Sequence, residues 1–465
     1  MKKLFAAALI VACGVTLSAQ GQTRTVSLVI TNGIVVTVDG ANRVINPGAV
    51  AVDGANIVAV DTVDAIRQRF RGADTIDAAG AVVMPGLVNT HSHAPMVLFR
   101  GLADDLALND WLTKYIFPAE AKLVSPDFVR AGTRLAALEM IESGTTTYAD
   151  MYYFEEEIAK ETKAAGLRGV LGETVIDFPV ADAKTPAAAL ARAETYIKAF
   201  QHDPLITPAV APHAPYTVSA ANLKAARALS VKYGVPTLIH VSETQQEEAD
   251  SKKAHGTRSV VAYLDTLGFL GPGVVAAHGV WVDAADMAIL KARGVSVAHN
   301  PESNMKLASG IAPVKAYLAA NIAIGLGTDG AASNNDLDMF EAMRTASFLQ
   351  KVATKDPTTL DAKTAVRMAT IGGARVLGMD KQIGSLEPGK HADIIVVGMT
   401  SARQTPMYDP ISHLVYVTRG DDVQTTIVNG KVLMRNRKVL TLNRAAVLND
   451  ANVWSRKVRA AVGKQ

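Results

Sequence analysis

Cysteine is nearly absent: the chain of 465 residues has one, Cys13. A lone thiol excludes an internal disulfide framework and a zinc site built on a Pro-Cys-x-x-Cys pair, so any metal must be held by histidines and carboxylates. Aromatic side chains are scarce at 5%, whereas hydrophobic residues make up 49% and charged ones 20%. That composition suits a globular chain, long enough for a large barrel with an accessory domain. An excess of one charge is missing as well. The formal net charge of +3 falls to +1 without Lys2 and Lys3, and no basic run stands out, which argues against nucleic acid as a partner. Past the N-terminus, no apolar stretch of membrane-spanning length is free of glycine, proline or charge, so no integral membrane span is expected.

What is present begins with an apparent leader. Residues 1–22 read as a signal peptide: Lys2 and Lys3, an apolar run over 4–17, then Ser18-Ala19-Gln20-Gly21-Gln22. Cleavage near Ala19 and lipid attachment at Cys13, within Ile10-Val11-Ala12-Cys13, are both open; the apolar run continues past Cys13, which favours cleavage. An exported, periplasmic or secreted protein is expected, with a cytosolic protein of apolar N-terminus as the alternative.

Residues 25–38 and 49–60 are rich in β-branched side chains broken by Asn32-Gly33 and Asp53-Gly54, the mark of short hairpins. The same texture returns at 392–397 and 423–433, with Asn429-Gly430 as a further turn. Each end is short for a stable sheet, so residues 23–83 and 384–450 are read as one composite β-sandwich, followed by a tail or helix over 451–465. Between them, over 84–383, short apolar runs recur at 81–88, 145–148, 167–174, 206–211, 237–241, 274–277, 295–298 and 322–326. Helical stretches separate them; one is capped by Ser125 with Pro126 in its first turn and ends by Gly144. Strand and helix in alternation predict the α/β class and a (β/α)8 TIM barrel, whose chemistry sits at the C-terminal ends of its strands.

The histidines fall on those ends. His91 and His93 follow the first run, His213 the fourth, His240 ends the fifth, His278 the sixth and His299 the seventh, while Asp329 follows the eighth. His202, His255, His391 and His413 lie elsewhere. In extended chain, residues i and i+2 point to one side, so His91 and His93 can reach one ion at the barrel mouth. His240 and Asp329 would complete three nitrogens and one carboxylate, a set suited to a single divalent transition metal, Zn²⁺ first and Fe²⁺ next.

Met84-Pro85-Gly86-Leu87-Val88-Asn89-Thr90-His91-Ser92-His93, Ile239-His240-Val241-Ser242-Glu243, His299-Asn300-Pro301 and Gly327-Thr328-Asp329-Gly330 resemble the amidohydrolase superfamily. Within it they are most similar to the branch of methylthioadenosine/S-adenosylhomocysteine deaminases and triazine hydrolases. The resemblance runs over about 25–445 and implies the same barrel and sandwich, with His91, His93, His240 and Asp329 binding one metal. The fourth predicted strand, 206–212, offers no lysine to carbamylate, so a two-metal site is not expected.

A bound metal lowers the pKa of water toward neutrality, supplying hydroxide that Asp329 can help to form. Deamination of an amidine-like ring carbon also needs a proton on the adjacent ring nitrogen. Glu243, three residues beyond His240, is placed for this, and the resemblance gives its carboxyl that role; His278 would orient the hydroxide. The resemblance further implies substrate contacts from Trp111, Glu120 and His213: the carboxyl on ribose hydroxyls, the indole on an apolar substituent, the imidazole near ribose and purine. No arginine matches those that some relatives use near the third strand, since Arg168 sits at that strand's beginning and Glu173 at its far end.

The expected activity is metal-dependent hydrolytic deamination of an aminated purine or nucleoside of the methylthioadenosine, S-adenosylhomocysteine or adenosine type. Cleavage of triazine C–N or C–Cl bonds, or of a cyclic amide, is the alternative at the same site. An exported, non-catalytic solute-binding protein is the alternative of another class. The partner is a small nitrogen heterocycle, and family analogy suggests a homo-oligomer. Two phosphate-loop look-alikes, 384–390 and 271–276, lead into strands rather than follow them and are read as turns. His299 through Pro313 is expected to form an ordered loop, with His299 structural or just outside the metal's ligands rather than one of them.

Overall fold

The structure is a computed structural model that describes residues 23–462; the leader and Cys13 lie outside the described residues. One sheet comprises β1 (Arg24–Val36), β2 (Val44–Asp53), β3 (Asn56–Thr62), β4 (Phe70–Asp77), β5 (Val82–Pro85) and, far downstream, β14 (Ile394–Val397), β15 (Val423–Val428), β16 (Lys431–Arg435) and β17 (Lys438–Val439). The other comprises β6 (Leu87–Asn89), β7 (Thr145–Tyr152), β8 (Arg168–Val175), β9 (Ile206–Pro212), β10 (Thr237–Val241), β11 (Val274–His278), β12 (Ser296–His299) and β13 (Ile324–Leu326).

The first sheet runs in the order β17-β16-β15-β14-β5-β1-β2-β3, with β4 on β1, so the two ends of the chain share a single sheet. β1 is long enough for two partners on one side, pairing with β4 over its first half and with β5 near its end. Irregular register between Ile30 and Val35 bends it there. Leu28, Ile30 and Val50 from one end of the sheet and Ile394, Val396 and Ile427 from the other then meet in one buried cluster, as the two leaves of a sandwich do.

The eight remaining strands pair in parallel sequence order from β6 to β13. The barrel closes where the Thr90 N–H donates to the Leu326 carbonyl at 2.9 Å. The first apolar run divides: 82–85 joins the outer sheet, and the barrel begins only after Gly86. A side chain at Gly86 would collide with Thr146 at 2.1 Å, so glycine is required at the crossover. The final helix, Arg444–Val462, starts earlier than the tail read from sequence. Among the described residues no helix is long and apolar enough to cross a membrane.

Strand alternation decides which side chains face the barrel interior. Ala209, Ala211, Leu238, Val275 and Ala298 belong to the inner cluster, whereas Ile239, Val274, Ala276 and Val297 pack outward against the helices. His240 is in phase with Leu238 and so is aimed into the mouth. His299 is out of phase with Ala298, and its buried ring nitrogens find no hydrogen-bond partner. His278 is out of phase too, but its φ of 74° breaks the alternation and turns the ring inward.

Candidate active site

At the C-terminal mouth, the ring centroid of His91 lies 4.9 Å from that of His93, 5.0 Å from that of His240 and 5.5 Å from that of His278. Asp329 Oδ1 sits 3.5 Å from His91 Nε2 and 3.2 Å from His93 Nε2. Ligand atoms of His91, His93 and Asp329 lie within 4.8 Å of one another, and so do those of His91, His240 and His278. The four residues read as ligands from sequence are thus brought together, with His278 beside them.

The outer nitrogens fix the inner ones. His93 Nδ1 contacts the Met151 carbonyl and His240 Nδ1 the His213 carbonyl, each at 2.7 Å. A carbonyl can only accept, so each Nδ1 donates, and each Nε2 is the atom turned to the centre. His91 Nε2 is buried with no hydrogen-bond partner, a deficit that a coordinated cation removes. Burial pushes His91 down to about 4 and His240 well below its ordinary value, so both rings are neutral at pH 7, the form that binds metal. Burial opposes protonation of His93 as well, but Asp329 outweighs it and holds that ring up to about 9. Burial also works to raise Asp329, yet the neighbouring His91 and His93 rings keep its carboxyl well below the usual range. Three imidazoles and a carboxylate of this kind fit a divalent transition metal.

Above the cluster, Glu243 and His278 face each other, Oε2 to Nε2, at 3.6 Å, and the same Nε2 lies 3.9 Å from Asp329 Oδ2. Burial raises the Glu243 carboxyl. Its backbone N–H donates to Glu247 Oε2 at 2.7 Å, so a second buried carboxyl pins the turn that carries the first. Ser242, at φ 54°, and Asp329, at φ 63°, are held in the left-handed region at the ends of their strands, backbone strain of the kind that clusters at functional sites.

A cavity of about 580 Å³, open solvent at its mouth included, connects Asp329, His278 and Glu243 to Trp111, Glu120 and His213. Trp111 lies in a six-residue stretch of wide helical turns, Trp111–Ile116, inserted between short helices. Glu120 accepts a 2.8 Å hydrogen bond from the Tyr152 hydroxyl, and burial pushes its carboxyl up to about 7. His213 contacts Thr217 Oγ1 through Nδ1 at 2.8 Å. A second cavity, of about 430 Å³, shares Phe117, Glu120 and Tyr153 with the first and reaches Phe178 and Lys184.

Sequence reasoning missed several supports: the Met151 carbonyl, Tyr152, Glu247 and the polar residues after β12. Only the last carried a signal, the polar run Glu302-Ser303-Asn304 beside His299-Asn300-Pro301. Arg168 and Glu173 stand apart from the cavity. Glu173 accepts from Arg192 Nε at 2.8 Å and from the Glu155 N–H at 3.0 Å. Lys390, in one look-alike loop, is tied to the Asp380 carbonyl and to Ser385 Oγ, both at 2.6 Å.

A parallel barrel with a His/Asp cluster at its mouth is the architecture of metal-dependent hydrolases. The chain belongs to the amidohydrolase family, which it matches over residues 82–433. It is 47% identical over 432 residues to a 5-methylthioadenosine/S-adenosylhomocysteine deaminase of Syntrophobacter fumaroxidans, covering 93% of this chain and 98% of that protein. It is 46% identical over 427 residues to a 5′-deoxyadenosine deaminase of Methanococcoides burtonii, covering 91% of this chain and 96% of the relative. Among solved structures, an adenosine deaminase from Xanthomonas campestris with bound zinc superposes with a TM-score of 0.93 at 41% identity, covering 94% of this chain and 100% of that one.

Proposed function

We infer that the protein is a zinc-dependent deaminase of adenosine-type nucleosides, converting the exocyclic amine to a carbonyl and releasing ammonia. The carrying observation is His278 Nε2 lying 3.6 Å from Glu243 and 3.9 Å from Asp329, which links an acid and a base across the mouth of the cavity. His91, His93, His240 and Asp329 would hold the cation. When bound, a cation of this kind lowers the pKa of a coordinated water from 15.7 to about 7.

The chain's own groups divide the proton work. Asp329 accepts the proton given up by the attacking water. Glu243, raised by burial, protonates the ring nitrogen beside the carbon under attack, making that carbon electrophilic. His278, between the two carboxyls, orients the attacking oxygen; the proton held by Asp329 then passes to the departing amine, which leaves as ammonia, and the second proton of the water returns to Glu243 as the carbonyl forms. Glu120 takes the ribose hydroxyls as an ionised acceptor, and Trp111 and His213 pack on the remainder of the nucleoside. The second cavity, beyond Glu120, gives room for a substituent on the 5′ carbon, with Lys184 on its wall. That extension favours the nucleoside reading over triazine or cyclic amide hydrolysis. Export to the periplasm belongs to the same proposal, on the strength of Lys2, Lys3 and the apolar run that follows; N-terminal sequencing of the mature protein tests it.

The functional test is ammonia release by metal-quantified protein on methylthioadenosine, 5′-deoxyadenosine, adenosine, S-adenosylhomocysteine, guanine and an aminotriazine. Turnover of the adenosine compounds is expected; inactivity on all of them would remove the deaminase reading.

A further inference from the structure

The polar run after β12 is left without a task by the reaction above, yet its side chains touch each proton-handling group in turn. Ser303 Oγ donates to Asp329 Oδ2 at 2.7 Å. Asn304 Oδ1 lies 2.8 Å from His278 Nδ1. Ser309 Oγ donates to Glu243 Oε1 at 3.3 Å. We propose that residues 303–309 form a bracket in which Ser303, Asn304 and Ser309 position Asp329, His278 and Glu243 for proton transfer. This rests on the roles given to those three residues above.

The geometry makes the bracket a single device. Ser303 and Asn304 lie in the short helix Pro301–Lys306 and are fully buried, as Ser309 nearly is. The Ser309 N–H donates to the Asn304 carbonyl at 2.8 Å, closing the segment on itself. Trp281 Nε1 donates to the Ser309 carbonyl at 2.7 Å, fastening it to the loop after β11. A shift of the segment therefore moves all three supports together. Each contact also has a directional consequence. Donation from His278 Nδ1 to the side-chain Oδ1 of Asn304 leaves Nε2 free to exchange a proton with Glu243 and Asp329. The Ser303 hydroxyl occupies Asp329 Oδ2, which leaves Oδ1 turned toward His91 and His93. The Ser309 hydroxyl holds Glu243 Oε1, so Oε2 is the oxygen that faces His278. These are positioning residues: they act through the groups they orient, where a misplacement of about 1 Å can cost about a hundredfold.

Ser309→Ala and Asn304→Ala are each expected to lower kcat about 10- to 100-fold with KM changed less than about twofold and metal stoichiometry intact; Ser309→Thr, which keeps the hydroxyl, should recover most of the loss. Unchanged kcat in both alanine variants would overturn the bracket, as would a loss that tracks lost metal or lowered melting temperature, or one that Thr fails to recover. A crystal structure of Ser309→Ala decides independently of substrate: Glu243 is expected to leave its place opposite His278, and finding it unmoved sinks the proposal. If the wild type releases no ammonia, the deaminase reading falls alone, because the position of Glu243 in that crystal still decides the bracket.

Discussion

Arg168 and Asp393, 225 residues apart in sequence, form a two-pronged buried ion pair, Nε to Oδ2 at 3.0 Å and Nη2 to Oδ1 at 3.2 Å. It lies at the N-terminal end of β8, far from the chemistry, and ties the barrel floor to the first residue before β14. Asp393 Oδ1 also accepts the Asn429 N–H at 2.7 Å, and the Asp393 carbonyl accepts the Gly86 N–H at 2.9 Å. Removing one partner strands a buried charge. Arg168→Met is therefore expected to lower the unfolding free energy by about 3–5 kcal/mol, with Arg168→Met/Asp393→Leu recovering much of it. Denaturant titration measures this, and kcat per folded molecule should not change.

Metal removal should be selective and reversible. His93→Ala is expected to lose its metal and about 4 kcal/mol of barrier lowering, close to a thousandfold in kcat/KM. Chelator treatment of the wild type should do the same, with Zn²⁺ restoring activity to the wild type only. Elemental analysis alongside the ammonia assay distinguishes loss of metal from loss of fold.

Glu243→Gln keeps the shape and removes the proton. It should retain metal and lower kcat by about 10²- to 10⁴-fold, the usual range for a general acid–base group. Retention of full activity would take Glu243 out of the reaction.

Glu120 gives a pH signature. Burial raises its carboxyl from 4.5 to about 7, so it becomes an anionic acceptor only as the pH passes that value. KM for a nucleoside should then fall as the pH rises through about 7. Tyr152 donates to this carboxyl and favours its charged form. Tyr152→Phe should accordingly move the KM transition to higher pH. The stability effect has the opposite sense: between 4.5 and about 7 the folded protein holds a proton that the unfolded chain has lost, so this group's contribution to stability declines across that window. Initial rates and unfolding curves over the same pH range check both.

The barrel was legible in the sequence because its strands are apolar runs separated by helices, and the His/Asp cluster because imidazoles recur where such strands end. His240 could be assigned from phase alone, since it shares a face with Leu238. His278 could not: alternation points it outward, and only its left-handed backbone brings it in. The first apolar run was divided by a close approach at Gly86, a packing constraint invisible in a hydrophobicity pattern. Tyr152 at a strand end, Glu247 in a helix and Ser309 in a loop were missed because a buried hydroxyl or carboxyl looks like any solvated polar residue until its partner is known. Trp111, Glu120 and His213 came from resemblance, and all three line the same cavity.

The seating of β14 between β5 and β15 has a temporal side. β5 ends at Pro85 and its neighbour begins at Ile394, so the strand that covers the open edge of β5 is synthesised only after the whole barrel. At the usual rate of about 5–20 residues per second, some 300 intervening residues leave that edge bare for roughly 15 to 60 s on the ribosome. An apolar edge exposed for so long invites pairing with a neighbour. That edge of β5 is thus a place for wrong pairing until residues 394–397 have been made.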